Sequence, residues 1–352
     1  MIFTGDIACP NLEALPDLEI PEDLKRKAWI SNLEGAIEIN GDELLSEVVV
    51  FNQLSALQKI KEAIDIKVVT LANNHITDTS TIRQTEELLD ELNVKYCGAG
   101  IDINSSKKAC VIKEDNGKEV VILNFGWRSI SCLEATGNKE GVNPYEKNNI
   151  ISQVKYIKSK YDDRKIIVFF HWNYELELYP QPFDRELSYA LIDLGVDAVI
   201  GCHAHRVQGA EIYKGKPIIY GLGNWIFPQS VFWNKRLKFP EFCSLQLAFE
   251  IDWDLNEYIC HWFFYDREKN KINFIESEKL IHSERMVELT PYKKLNNKQY
   301  EKWFKKNRYH KKMLPVFYFD DKNYVIDLKN RWIQIRHYLI MSLVKFKNLI
   351  IS

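Results

Sequence analysis

A layered α/β domain, of the α/β or α+β kind with a buried sheet, is the fold this sequence predicts, and three observations predict it. Short apolar runs bounded by Gly, Asn or Asp alternate with amphipathic stretches from residue 1 to about residue 225. The runs are rich in β-branched and aromatic residues, whereas the stretches between them repeat apolar residues at helical spacing. Polar residues recur where the runs end, which is where an α/β sheet gathers its ligand-binding loops.

Taken in order, strands are expected at Met1–Ile7, Ala28–Leu33, Ile66–Leu71, Val94–Gly98, Val120–Phe125, Ile166–Phe170, Ala198–Ile200 and Pro217–Tyr220. Helical stripes run through Leu54, Leu57, Ile60 and Ile64, and through Ile82, Leu88, Leu89 and Leu92. Ile150, Val154 and Ile157 form a third stripe, and Leu187, Leu191 and Leu194 a fourth. Buried parallel and mixed strands read alike, so the sheet order stays open. After Asn224 the character changes. Trp225–Pro240 is aromatic and basic, which reads as a long loop or lid, and Ser244–Ile251 and Tyr258–Tyr265 read as two more strands. Residues 268–320 are highly charged, with a helical stretch at Lys293–Lys312, and Tyr324–Ile351 is helical in pattern. The expected division is therefore a principal domain at 1–267 and a charged, helical C-terminal extension at 268–352.

The bulk numbers exclude several classes. With 352 residues the chain is long enough for one large domain and a smaller appended unit. Apolar residues at 46% and charged residues at 27% are ordinary for a soluble globular protein. A net charge of -2 without a basic stripe gives no expectation of nucleic-acid binding. Seven cysteines without CxxC spacing point to reduced thiols. The sequence lacks the ~18 consecutive apolar residues of a membrane span and opens without a leader pattern, so a cytoplasmic location is expected.

The chemistry sits at the strand ends. Asp6 closes the first run, Glu34 follows the second, Asn73-Asn74-His75 the third, His171 a later one and His203-x-His205 the next. Singly each has an ordinary reading: a turn Asp, an exposed Glu, an Asn helix cap, a core His. The His-x-His pair says more, because alternate residues of an extended segment point the same way. Two carboxylates, an amide oxygen and imidazoles meeting at one sheet edge suit one or two divalent ions such as Mn²⁺, Fe²⁺ or Zn²⁺.

These residues carry a family resemblance. His171-Trp172 with Glu175, Tyr179-Pro180-Gln181-Pro182, Arg185-Glu186-Leu187, Gly195 to Gly201, His203-Ala204-His205 with Gln208, and Leu222-Gly223-Asn224 follow one another as in a known pattern. Thr4-Gly5-Asp6, Asn32-Leu33-Glu34 and Leu71 to His75 with Asp78 fit it upstream. The text resembles the CapA-type proteins of poly-γ-glutamate and capsule synthesis, within the calcineurin-like metallophosphoesterase superfamily, over about residues 1–250. The resemblance implies a metallophosphatase-like sandwich of mixed β-sheets flanked by helices. It implies a metal-dependent hydrolase in surface-polymer synthesis, or a non-catalytic scaffold of the synthesis system. By position Asp6 and His205 would hold one ion, Glu34 would bridge, and Asn74, His171 and His203 would complete the shell of a second ion. His75 would be the general acid, oriented by Asp78. Asn73, Arg185 and Glu175 would contact an anionic small-molecule or polymer substrate, although Glu175 would serve equally to orient a metal ligand and Arg185 reads equally as a surface helix arginine.

Three departures stand out. The superfamily's first motif, Asp-x-His, reads Asp6-Ile7-Ala8; the usual Gly after His171-Trp172 is Asn173; and Cys202 replaces a His before His203. In the extension, Trp303, Arg308, Lys311 and Lys312 suit either a basic aromatic patch or packing on the body. The last helix suits either packing or peripheral contact with a membrane. Other enzymes of capsule synthesis are the partners the resemblance implies.

Overall fold

Residues 1–114, 117–161, 163–310 and 313–351 are described by the computed structural model, with side chains up to residue 339. Their strands form two large sheets. The eight-stranded sheet runs in the order Asp17–Leu18, Lys271–Lys279, Glu257–Asp266, Leu245–Asp252, Ile2–Ile7, Trp29–Leu33, Ile66–Thr70, Lys95–Cys97. From Ile2–Ile7 toward Lys95–Cys97 the strands are parallel. On the other side Leu245–Asp252, Glu257–Asp266 and Lys271–Lys279 are antiparallel. The six-stranded sheet has four parallel strands, Lys216–Ile219, Ala198–Cys202, Lys165–His171 and Glu119–Gly126. Antiparallel strands Ala210–Tyr213 and Cys110–Lys113 edge it.

Side-chain alternation makes the layers. Along Lys165–His171, Ile167 and Phe169 enter the core between the sheets, while Ile166, Val168 and Phe170 face the outer helices. Phe3, Ile30 and Val68 meet them from the large sheet. Helices Leu54–Ala63 and Ile82–Glu91 cover that sheet's outer face, and Lys147–Lys160 and Pro182–Asp193 cover the small sheet's. This is the mixed, helix-flanked sandwich expected from the sequence. Each large apolar side chain so buried contributes roughly 1.5–3 kcal/mol.

Among the described residues, four strands of the two large sheets are not announced by the sequence pattern, the two-residue Asp17–Leu18 being one. Cys110–Lys113 and Ala210–Tyr213 are edges of four residues, and Lys271–Lys279 carries exposed Glu276 and Lys279. The last of these lies beyond residue 267 and hydrogen-bonds into the large sheet, so we propose that any division of the chain be drawn after Lys279. Further on, helix Asn297–Asn307 packs on Pro182–Asp193, and Tyr300 Oη donates to the Pro180 carbonyl at 2.7 Å. Trp303 packs among Tyr179, Tyr292 and Tyr300, and Arg308 is buried. Those two residues therefore pack on the body rather than form an exposed patch; Lys311 and Lys312 lie outside the described residues.

One irregularity in the first strand sets the position of Asp6. Ile2 and Ile7 both enter the helix-side core although five positions apart, which a regular strand forbids. A register shift between Thr4 and Asp6 resolves the parity and turns Asp6 inward, beside Asn32. The bulge presses Gly5 against the Gly223 carbonyl, where an added Cβ would stand 1.7 Å from the oxygen. Gly5→Ala should therefore destabilise the fold by about 3 kcal/mol, measured by urea denaturation. Gly137→Ala, where a Cβ meets nothing within 4 Å, should stay within about 0.5 kcal/mol.

Candidate metal centre

The parallel strands of both sheets end at one edge, and that edge carries the expected residues. Asp6 is near the end of Ile2–Ile7, Glu34 follows Trp29–Leu33, and Asn74 and His75 follow Ile66–Thr70. From the small sheet, His171 ends its strand opposite Cys202, and His203 and His205 follow. Asp6, Glu34, His171, His203 and His205 are all buried.

Their donor atoms converge. Among the described residues three sets each offer atoms within 4.8 Å of one another: Asp6, Glu34 and His205; Glu34, His171 and His203; and Asp6, His171 and Cys202; Glu34, Asp6 and His171 thus each belong to two. Asn74 Oδ1 lies 2.9 Å from His171 Nε2, which is 3.1 Å from His203 Nδ1. His205 Nδ1 is 2.8 Å from Asn224 Oδ1, an acceptor, so the proton sits on Nδ1 and leaves the Nε2 lone pair facing Glu34 Oε1 at 3.8 Å. His75 stands at the open side, 20% exposed, with Nδ1 2.6 Å from Asp78 Oδ2 and Nε2 3.8 Å from Glu34 Oε1. Asp78 is itself fixed by the Val50 N–H, which donates to it at 3.0 Å.

Burial sets the electrostatics. It pushes the Asp6 carboxyl up to about 7, against the pull of the Asn32 amide. Glu34 is held well above the carboxylate range by burial and then by Asp6 beside it. His171 and His203 are held well below the imidazole range by burial and by neighbouring imidazoles, and burial takes His205 down to about 3. Three neutral imidazoles thus face two carboxylates, with Asp6 Oδ2 and both Glu34 oxygens buried without a hydrogen-bond donor. An unpaired buried carboxylate costs several kcal/mol. These bare oxygens and imidazole lone pairs fit a divalent cation of the Mn²⁺, Fe²⁺ or Zn²⁺ kind, which Asp6, Glu34 and His205 could hold, and Glu34, His171, His203 and Asn74 could hold a second.

The departures from the family pattern have structural reasons. Ala8, where an imidazole would stand, is buried in an apolar cluster with Phe51, Phe227, Phe232 and Phe239. Asn173 has φ 68°, a left-handed conformation that Gly and Asn adopt most readily. Burial, with Asp6 and Glu34 nearby, keeps Cys202 a neutral thiol, and it donates to the Phe170 carbonyl at 3.4 Å.

Two expected substrate contacts are corrected. Arg185 is neither a surface arginine nor an anchor for an anionic group, because Nε and Nη2 each donate to Glu211 at 2.8 Å inside the core. Asn73 is fully buried and braces the loops instead: its Oδ1 accepts from the Gly35 and His75 N–H groups and its Nδ2 donates to the Leu33 carbonyl. Glu175 is exposed at the mouth, within electrostatic reach of His75 and Glu34. Sequence reasoning passed over Asn32, Asn224 and Phe239, whose ring lies 4.2 Å from that of His205. Asn32 and Asn224 stood inside the family motifs, so the signal was there; Phe239 had none.

A sequence profile described as bacterial capsule synthesis protein PGA_cap matches residues 24–229. The chain is 30% identical over 177 residues to capsule biosynthesis protein CapA of Bacillus anthracis, covering 49% of this chain and 43% of that one. It is 30% identical over 174 residues to PGA biosynthesis protein CapA of Bacillus subtilis (strain 168), covering 49% and 45%. The matched stretch is thus under half the length of either relative. Among solved structures, the NAD nucleotidase NadN of Haemophilus influenzae aligns over 72% of this chain and 40% of its own, at 12% identity and TM-score 0.34.

The pKa directions fix how stability responds to pH. Imidazoles held below their usual range contribute stability that is lost as pH falls below about 6.5. Carboxylates held above theirs contribute stability that is lost as pH rises, for Asp6 through about 7. The EDTA-treated protein should therefore lose melting temperature between about pH 7.5 and about pH 8.5, above the histidine range, through Glu34, which is held well above the carboxylate range. Mn²⁺ should reverse that loss, its stabilisation growing with pH because it needs ionised carboxylates. A Mn²⁺ shift equal at both ends of the window would count against the site.

Proposed function

On the footing that this chain belongs to the bacterial capsule synthesis protein PGA_cap family, we propose that it is a divalent-metal-dependent hydrolase of the phosphoesterase type. Its substrate is an anionic ester handled in capsule or surface-polymer (poly-γ-glutamate-like) synthesis. The observation that carries the reading is the place of His75, its Nε2 3.8 Å from Glu34, a carboxylate that belongs to two of the three ligand sets. A scaffold has no use for an imidazole held by a carboxylate at the open edge of a metal centre.

An ion held by these residues would supply polarisation of the phosphoryl centre and activation of the attacking water. The rest is done by this chain's residues. Water adds its oxygen to phosphorus and gives up a proton to solvent, the bond to the leaving oxygen breaks, His75 delivers its Nε2 proton to that oxygen, and solvent returns a proton to Nε2. Asp78 keeps the other proton on Nδ1 and so aims Nε2 inward. Phe227 and Phe239, packed on His205, keep water from that flank. An amide of a glutamyl-type polymer is the second substrate the same groups would serve.

A non-catalytic scaffold of the synthesis system is the rival reading, and Ala8 is the observation that favours it, since the apolar cluster there withholds a ligand. Among the described residues no helix is long and apolar enough to cross a membrane. Contact with the membrane surface is proposed through helix Asn323–Ile351, where Leu328, Trp332, Ile335 and Leu339 are exposed beside Arg331. Sedimentation with vesicles containing phosphatidylglycerol tests it, and Trp332→Glu should abolish binding.

With Mn²⁺ supplied, His75→Ala should lower turnover of an aryl phosphodiester or monoester by roughly 100-fold or more at unchanged metal content, while Glu34→Gln should lose metal. Metal bound by the wild type without turnover of either ester would favour the scaffold.

A further inference from the structure

Beside the metal centre lies a second concentration of charge that the hydrolase reading leaves unused. The loop after His171 runs alongside the ligand loop His203–His205, with the Leu176 N–H donating to the Ala204 carbonyl at 3.0 Å. The segment Arg308–His310 is tied to the same loop from the C-terminal region. Glu177, fully buried, accepts from the Tyr309 N–H at 2.7 Å, the His310 N–H at 3.3 Å and the Leu178 N–H at 3.0 Å. His310 Nε2 donates to the Glu175 carbonyl at 2.7 Å.

Two guanidiniums meet this arrangement. Arg308 is 3% exposed, with Nε 3.9 Å from Glu177 Oε2 and no hydrogen-bond partner on Nε or Nη2. Arg206 directly follows the ligand His205 and is half-buried, its guanidinium 4.2 Å over the Phe242 ring. Arg206 Nε has no hydrogen-bond partner, and Nη1 reaches the Leu176 carbonyl at the long distance of 3.5 Å. Glu177 is the carboxylate that acts on both arginines, and its oxygens are already taken by backbone N–H groups. The Nε of Arg206, one residue from the ligand His205, and the Nε and Nη2 of Arg308 are thus left without an acceptor. Phe242 and Tyr309, 39% and 49% exposed, flank the spot with ring centroids 6.4 Å apart.

We propose that Arg206, flanked by Phe242 and Tyr309, forms an anion subsite at the mouth of the metal centre. A guanidinium fork matches a carboxylate or phosphate bidentately, and stacking on an aromatic ring holds its plane. Its ligand is a carboxylate or phosphate other than the group that reacts, so the substrate carries at least two anionic groups. That last step rests on the hydrolase reading; the subsite itself does not.

Titration calorimetry on the full chain, Mn²⁺-loaded and EDTA-treated, tests it with tri-γ-glutamate and tripolyphosphate as probes. Wild type should bind at least one probe in both states, the glutamate peptide marking a carboxylate ligand and tripolyphosphate a phosphate. Arg206→Met, which keeps the stem packed on Phe242, should weaken binding roughly 10-fold or more, and Arg206→Lys should fall between, with Mn²⁺ stoichiometry unchanged in both. Wild-type affinity in Arg206→Met, or no binding of either probe by wild type, would overturn the subsite. Loss of Mn²⁺ binding with anion binding intact would instead sink the hydrolase reading and leave the subsite standing.

Discussion

Asp6 and Glu34 are carried to full burial with three oxygens that no donor meets, and much of the local structure answers to that constraint. Two carboxylates in a low-dielectric interior repel each other and resist ionisation, while imidazoles in the same place resist protonation. A divalent ion reverses the first penalty and exploits the second, because it binds ionised carboxylates and neutral imidazoles. The penalty is several kcal/mol per carboxylate in a fold whose total stability is on the order of 5–15 kcal/mol. The inter-sheet core therefore has to over-determine the backbone around the centre.

The backbone shows that demand directly. His203 and His205 have φ of 93° and 53°, and Asn173 and Leu176 in the facing loop have 68° and 61°. For His203, His205 and Leu176 each such conformation costs on the order of 1 kcal/mol or more, whereas Asn173 adopts it more readily. The strain is held by the hydrogen bond that joins the two loops and by Asn224, which fixes the His205 ring. The bulge at Gly5 answers to the same demand. Without it the first strand would send Asp6 toward the helices, and Asn32, one strand away, would have no carboxylate to orient.

Legibility in the sequence depended on range. Parallel strands buried on both faces need continuous apolar runs, so their ends, and the ligands placed there, could be read from local text. Edge strands need no such run, and Ala210–Tyr213 went unread for that reason. It carries Glu211, the partner that takes Arg185 out of play. The fate of an arginine depends on a residue 26 positions away, and no local pattern records such a pairing. The same holds for Phe239, which reaches His205 only because a loop folds back. Strand Lys271–Lys279 was hidden by its exposed charges, so a sheet strand read as the start of an extension.

The centre is therefore built by the patterned part of the chain and bounded by the unpatterned parts. Segment Trp225–Pro240 seals one flank with Phe227 and Phe239, and the Ala8 cluster keeps that flank dry. On the other side His75 is 20% exposed and Glu175 lies open, with Tyr309 and His310 anchored behind. A ligand approaching the buried carboxylates comes past His75, since that flank is the polar and open one. The strands fix where a cation would sit, whereas the loops and the C-terminal segment fix what can approach it. A scaffold shared across a family can thus keep one centre while its members differ in the molecule they admit.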